Sequence, residues 1–161
     1  MNNSYYGVDI RTIDSLAMAD LLSKILAGNM RKEDREELEA QGRMPYGGLY
    51  ESMTTSIEAY YAIHERMPLA AFGIGLCPEG CSIWMLGTTM CERHKKALVA
   101  CMQDYIKDSL KKYKVLTNYI SKDNTKALRV IKKMGAAFGE EVEIHARAWR
   151  VALGLDIAHA V

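Results

Sequence analysis

Ser82-Ile83-Trp84-Met85-Leu86-Gly87-Thr88 reads as a strand, Cys91 to Tyr113 as a long helix, and Val115 to Ser121 as a second strand. The first run is short and apolar, with turn residues before it. In the helix, Leu98, Cys101, Met102, Tyr105, Ile106, Leu110 and Tyr113 recur on one stripe, and lysines and aspartates lie opposite. Strand, helix and strand in that order make two parallel neighbours joined by a right-handed crossover. Such neighbours can splay open and admit a ligand, with the helix N-terminus aimed at the gap.

Working outward, Ile57 to His64 and Leu69 to Leu76 form two more strands joined at Glu65-Arg66-Met67-Pro68. Pro78-Glu79-Gly80 then turns into the Ser82 strand. Connections this short make the three strands antiparallel. Nearer the start, Gly7 to Arg11 is a strand and Asp14 a helix N-cap; Met18, Leu21, Leu22 and Ile25 follow at helical spacing until Gly28. Arg31 to Gln41 interleaves both charge signs and reads as a solvated helix stopped at Gly42, and Met44 to Gly48 as a loop.

Downstream, Asn124 to Met134 is a helix with Asp123 or Asn124 as N-cap and Gly135 as a left-handed stop. Its apolar face is Ala127, Leu128, Ile131 and Met134. Ala137 to Leu153 reads as two short strands around a turn near Ala146-Arg147, and the last eight residues as a loose extension. The order is β-α-α-β-β-β-α-β-α-β-β. It predicts a single α/β (α+β) domain over residues 1–161, a mixed sheet of six to seven strands flanked by four helices.

Composition narrows the classes of function. With 161 residues, 49% hydrophobic and 25% charged, the chain is of ordinary globular make-up. A net charge of +1 steers it toward neither nucleic acid nor an anionic membrane. No run of about 18 uncharged apolar residues exists to span a bilayer. Met1 to Tyr6 has neither a basic region nor a hydrophobic run, so the expected location is the cytosol of the cell that makes it. Cys77, Cys81, Cys91 and Cys101 are then expected as reduced thiols. A zinc site built from Cys77, Cys81, Cys91 and His94 fails on distance. The strand between the two pairs spans roughly 23 Å at about 3.3 Å per residue, whereas zinc ligands lie about 2.0–2.3 Å from the ion. No metal is expected.

The element order and two local segments resemble the GNAT superfamily of N-acetyltransferases. In that family a strand leads to an Arg/Gln-x-x-Gly-x-Gly/Ala turn, which opens a helix whose backbone N–H groups bind the coenzyme A pyrophosphate. A second pattern, Asn-x-x-Ala-x-x-x-Tyr-x-x-x-Gly-Phe, lies on the helix after the next strand. Asn124, Ala127 and Gly135-Ala136 keep the second pattern, but Ile131 stands where a tyrosine often acts as general acid. In the first, Met90 stands at the Arg/Gln position, and Arg93 and Lys95 replace the glycines. Their side chains would obstruct phosphate approaching the backbone.

From about Leu69 to Leu153 the chain also resembles the small internal virion protein family of T7-like short-tailed phages. Gly80-Cys81-Ser82-Ile83-Trp84, Arg93-His94-Lys95-Lys96, Tyr113 to Tyr119 and Asn124 to Phe138 carry this likeness. It implies an internal virion or virion-assembly role in the host cytoplasm or the packaged particle, with other virion or assembly proteins as partners. It implies no cofactor and no acetyl transfer. The alternative is a divergent acetyl-CoA-dependent N-acetyltransferase, with coenzyme contacts at Leu86, Gly87, Thr88, Arg93, His94, Lys95 and Asn124. In that reading the Leu86 or Thr88 N–H would face the thioester carbonyl.

Each of these residues has a plainer role beside the functional one. Arg93, His94, Lys95 and Lys96 are either an anion site or a solvated turn. Asn124 is an N-cap or a ligand contact. Strand alternation sends Asn118 and Tyr119 to opposite faces, so at most one looks at a ligand. His64 and Glu65 end a central strand near where GNAT enzymes often place a general base; His145 and His159 read as surface residues. Tyr60, Tyr61, Trp84 and Trp149 read as packing, since no basic groove accompanies them to bind nucleic acid.

Overall fold

The computed structural model describes residues 1–78, 80–144 and 146–154, with side chains as far as Gly139. The strands are β1 (Ser4–Tyr5), β2 (Val8–Thr12), β3 (Ser56–His64), β4 (Met67–Cys77), β5 (Gly80–Gly87), β6 (Val115–Ser121), β7 (Ala137–Ile144) and β8 (Ala146–Gly154). The helices are α1 (Leu16–Gly28), α2 (Lys32–Ala40), α3 (Pro45–Thr55), α4 (Lys95–Tyr113) and α5 (Thr125–Lys133). Glu79, His145, His159 and the expected extension beyond Gly154 lie outside the described residues, as does the Trp149 side chain.

All eight strands form one sheet in the order β1-β2-β3-β4-β5-β6-β8-β7. Neighbours are antiparallel throughout except β5 and β6, which run parallel on either side of α4, as the sequence pattern requires. Two-residue turns close the β1–β2 and β3–β4 hairpins. Tyr6 and Gly7 (φ 48° and 80°) and Glu65 and Arg66 (φ 47° and 69°) are all left-handed, the geometry that matches strand twist.

Two apolar layers sandwich the sheet, and β4 feeds both by alternation. Ala70, Phe72 and Ile74 face α4, while Ala71 faces α1 and α3. Under α4, the Phe72 ring packs 5.8 Å from Tyr60 and 5.1 Å edge-on from Tyr105. Burial raises the Tyr60 and Tyr105 phenols above their ordinary range, and the nearby Glu58 carboxylate raises them further.

The N-terminal third departs from the sequence reading in four places. Ser15, not Asp14, caps α1, accepting the Met18 N–H at 3.2 Å. The buried face of α1 is Ala19, Leu22, Ser23 and Leu26, while Leu21 is 54% exposed. Small Ala19 and Ser23 let α1 lie close to its neighbours, with Leu22 and Leu26 filling the core beside them. The Met44–Gly48 loop is instead the start of α3, because Pro45 at the first helical position needs no N–H partner. Gly48 faces α2 so closely that a Cβ there would sit 2.7 Å from Leu38 Cδ2. Finally, α2 is not uniformly solvated, since Asp34 and Leu38 are buried.

Candidate binding cleft

β5 and β6 share only two registered pairs, Cys81 with Leu116 and Ser82 with Thr117, and then diverge. The gap opens into a cavity of about 190 Å³. Its apolar walls come from α4 (Val99, Met102), α5 (Val130, Ile131) and the two strands (Met85, Ile120). Its polar end is built by α2, whose approach is set by backbone bonds. Arg31 N–H donates to Gly87 O and Thr89 N–H to Asn29 O, each at 3.0 Å, stitching the α1–α2 link to the end of β5.

Held there, α2 acts as a crosspiece over the widening gap. On the β5 side, Asp34 Oδ2 accepts the Gly87 N–H at 2.7 Å, and the two carboxylate oxygens together accept three bonds from Arg31 at 2.7–3.0 Å. On the β6 side, Glu37 Oε1 accepts the Ser121 N–H at 2.9 Å and the Asn124 amide at 3.2 Å. Lys126 of α5 bridges Glu33 (3.2 Å) and Glu92 (3.3 Å), tying α5 to α2 and to the turn before α4. Burial raises the Asp34 carboxyl; Arg31 and the Gly87 N–H oppose it. Burial also raises Glu37, against the Ser121 and Asn124 hydrogen bonds.

The turn leading into α4 is a 3₁₀ turn, Thr89–Glu92, where the sequence reading began the helix at Cys91. The N–H groups of Cys91, Arg93 and His94 donate to Thr88, Met90 and Cys91 carbonyls at 3.0–3.2 Å. These three donors are thus already satisfied within the turn. A Cβ at Gly87 would lie 2.5 Å from Cys91 Sγ, so the end of β5 is close-packed against this turn.

Of the seven residues singled out as coenzyme contacts, Lys95 and Asn124 line the cleft. Lys95 is exposed, and Asn124 caps α5 by accepting the Ala127 N–H at 3.1 Å. Leu86 packs into the core under α1 and α3. The Gly87 N–H points to Asp34, and the Thr88 N–H and hydroxyl both donate to Leu69 O, at 2.8 and 3.0 Å. Arg93 is exposed outside the lining, and His94 packs on the His64 ring with centroids 4.4 Å apart. Sequence reasoning missed Arg31, Asp34 and Glu37. The available signal was Leu38, the lone leucine in a charged run. It marks the inward face of α2, and Asp34 and Arg31 lie one and two turns before it.

Residues 67–143 match the model of a family described as bacteriophage T7, probable scaffold protein Gp13. No curated protein matches the chain by sequence. Solved structures extend the likeness to the whole domain. A GNAT-family acetyltransferase from Bacillus anthracis superposes with a TM-score of 0.65 at 13% identity, covering 96% of this chain and 98% of that one. The GNAT domain of S. lividans PAT gives 0.66 at 9% identity, over 92% and 90% of the two chains. A Bacillus subtilis acetyltransferase in complex with CoA gives 0.60 at 14% identity, over 92% and 99%. At these identities the likeness is one of fold, and the chain carries a GNAT-like fold.

Proposed function

We infer that this chain is a phage virion-assembly protein that uses a GNAT scaffold for binding rather than for acetyl transfer. The observation that carries the reading is the α2 crosspiece, in which Asp34 takes the Gly87 N–H and Glu37 the Ser121 N–H. Acetyl transfer needs free donors at the splayed strand for the developing oxyanion. A coenzyme pyrophosphate needs free N–H groups at the helix start. Here the Gly87 N–H at the end of the splayed strand lies against the Asp34 carboxylate, and the Cys91, Arg93 and His94 N–H groups lie against their own turn. Ile131, at the position of the usual acid, lines the cleft and has no proton to give a thiolate. The phage-family match over residues 67–143 supports an assembly role, with other virion or assembly proteins as partners and the host cytoplasm as the place of action.

The test is a melting scan of the full chain with acetyl-CoA. A ligand at a hundred times its dissociation constant adds about 2.7 kcal/mol, a shift of several degrees for a domain this size. The expected result is no shift at millimolar coenzyme. A saturable rise that free acetate does not reproduce would overturn the reading and restore the acetyltransferase. Mass spectrometry of particles and assembly intermediates is expected to find the chain in at least one of them.

A further inference from the structure

α5 is strongly amphipathic, yet none of its residues is buried. Its apolar side chains, Ala127, Val130, Ile131 and Met134, face the cleft. Short helices in proteins are held mainly by burial of the apolar face. Here that face packs only in part against the core, through Ala127, Leu128, Ile131 and Met134, and the remainder borders the cavity. Methionines line three of the walls, Met85 on β5, Met102 on α4 and Met134 beside α5. Their flexible side chains suit a surface that moulds itself to an incoming chain.

The charges at the α2 end sort into pairs. Arg31 is engaged by Asp34, and Lys126 by Glu33 and Glu92, while Lys95 is exposed at the start of α4. Glu37 has only neutral donors, and among the described residues no lysine or arginine pairs with it. A half-buried carboxylate at the end of an apolar groove complements one cation and repels a phosphate or fatty-acid head. Along the groove, β5 beyond Ser82 and β6 beyond Thr117 have no strand neighbour on their facing edges.

We propose that this cleft is a docking groove for an extended apolar segment of another virion protein, carrying a lysine or arginine that meets Glu37. Its apolar side chains fill the space under α5, and its cation sits at the α2 end. The inference rests on the assembly reading above and gives that reading a partner chemistry.

The experiment uses the full chain and short overlapping synthetic peptides covering the structural proteins of the encoding phage, with binding read by fluorescence anisotropy. Apolar peptides with a basic residue are expected to bind. Val130→Trp, which fills the cavity, and Ala127→Arg, which charges it, should each weaken binding by about tenfold or more, as removal of a central contact does. Glu37→Gln keeps an acceptor oxygen for Ser121 and Asn124; it should weaken binding several-fold and flatten its salt dependence. Melting scans check that each variant is folded. If no peptide binds, or if bound peptides ignore all three substitutions, the groove is not the docking site, and the assembly reading stands. If acetyl-CoA binds and Val130→Trp blocks it, both fall.

Discussion

α4 and α5 lie over the same face of the sheet, but they are held in opposite ways. α4 buries seven residues, among them Leu98, Cys101 and Tyr105, in the core under the sheet. Burial is deep enough to push the Cys101 thiol up to about 12, with the nearby Asp104 adding to the rise. α5 buries none fully: Ala127, Leu128 and Ile131 pack only in part against that core, and the Asn124 cap, the Glu37 contact and the Lys126 bridges add polar anchors. A helix anchored by its charged rim while its apolar face stays half-open is built to receive something. α4 is built to stay shut.

The contrast has a direct test. Leu98→Ala should cost about 2–5 kcal/mol in urea unfolding, because a closed core cannot collapse around the gap. Ile131→Ala should cost under about 1 kcal/mol, since the side chain is only partly buried. Equal losses would mean that α5 is as much core as α4. Next in size is Asn124→Ala. Loss of the cap should destabilise by about 1 kcal/mol, and amide exchange should quicken through α5 while α4 stays protected.

The smallest effect is one of pH. Burial raises the Glu37 carboxyl in the folded state, so its charged form opposes folding. That opposition is absent below the unfolded carboxylate range near about pH 4 and complete once pH has risen through the folded value. Glu37→Gln should therefore melt slightly above the wild type at neutral pH, and the difference should close on acidification. A constant difference at every pH would mean that the charge is not the cause.

Much of this architecture was legible from local pattern. The stripe on α4, the parallel β5 and β6, the Asn124 cap and the left-handed Gly135 (φ 87°) follow from periodicity and turn chemistry. What escaped was set by tertiary context. Pro45-Tyr46-Gly47-Gly48 has the composition of a loop and becomes helix because Leu38 packs where a glycine side chain would be. The carboxylates of α2 belong to a sequence that looks like any solvated helix. Only the pairing of Gly87 and Ser121, distant in the chain, turns Asp34 and Glu37 inward. His64 and His94 are thirty positions apart, and no spacing rule would stack them.

With five strands on one side and three on the other, the sheet is two plates joined by two rungs of backbone, by the α4 connection and by the polar contacts of α2 and Lys126 across the gap. Inside each plate, ladders such as β6–β8 run seven pairs long. The join between plates runs along the groove itself, so a strand laid into it would brace the two plates against each other.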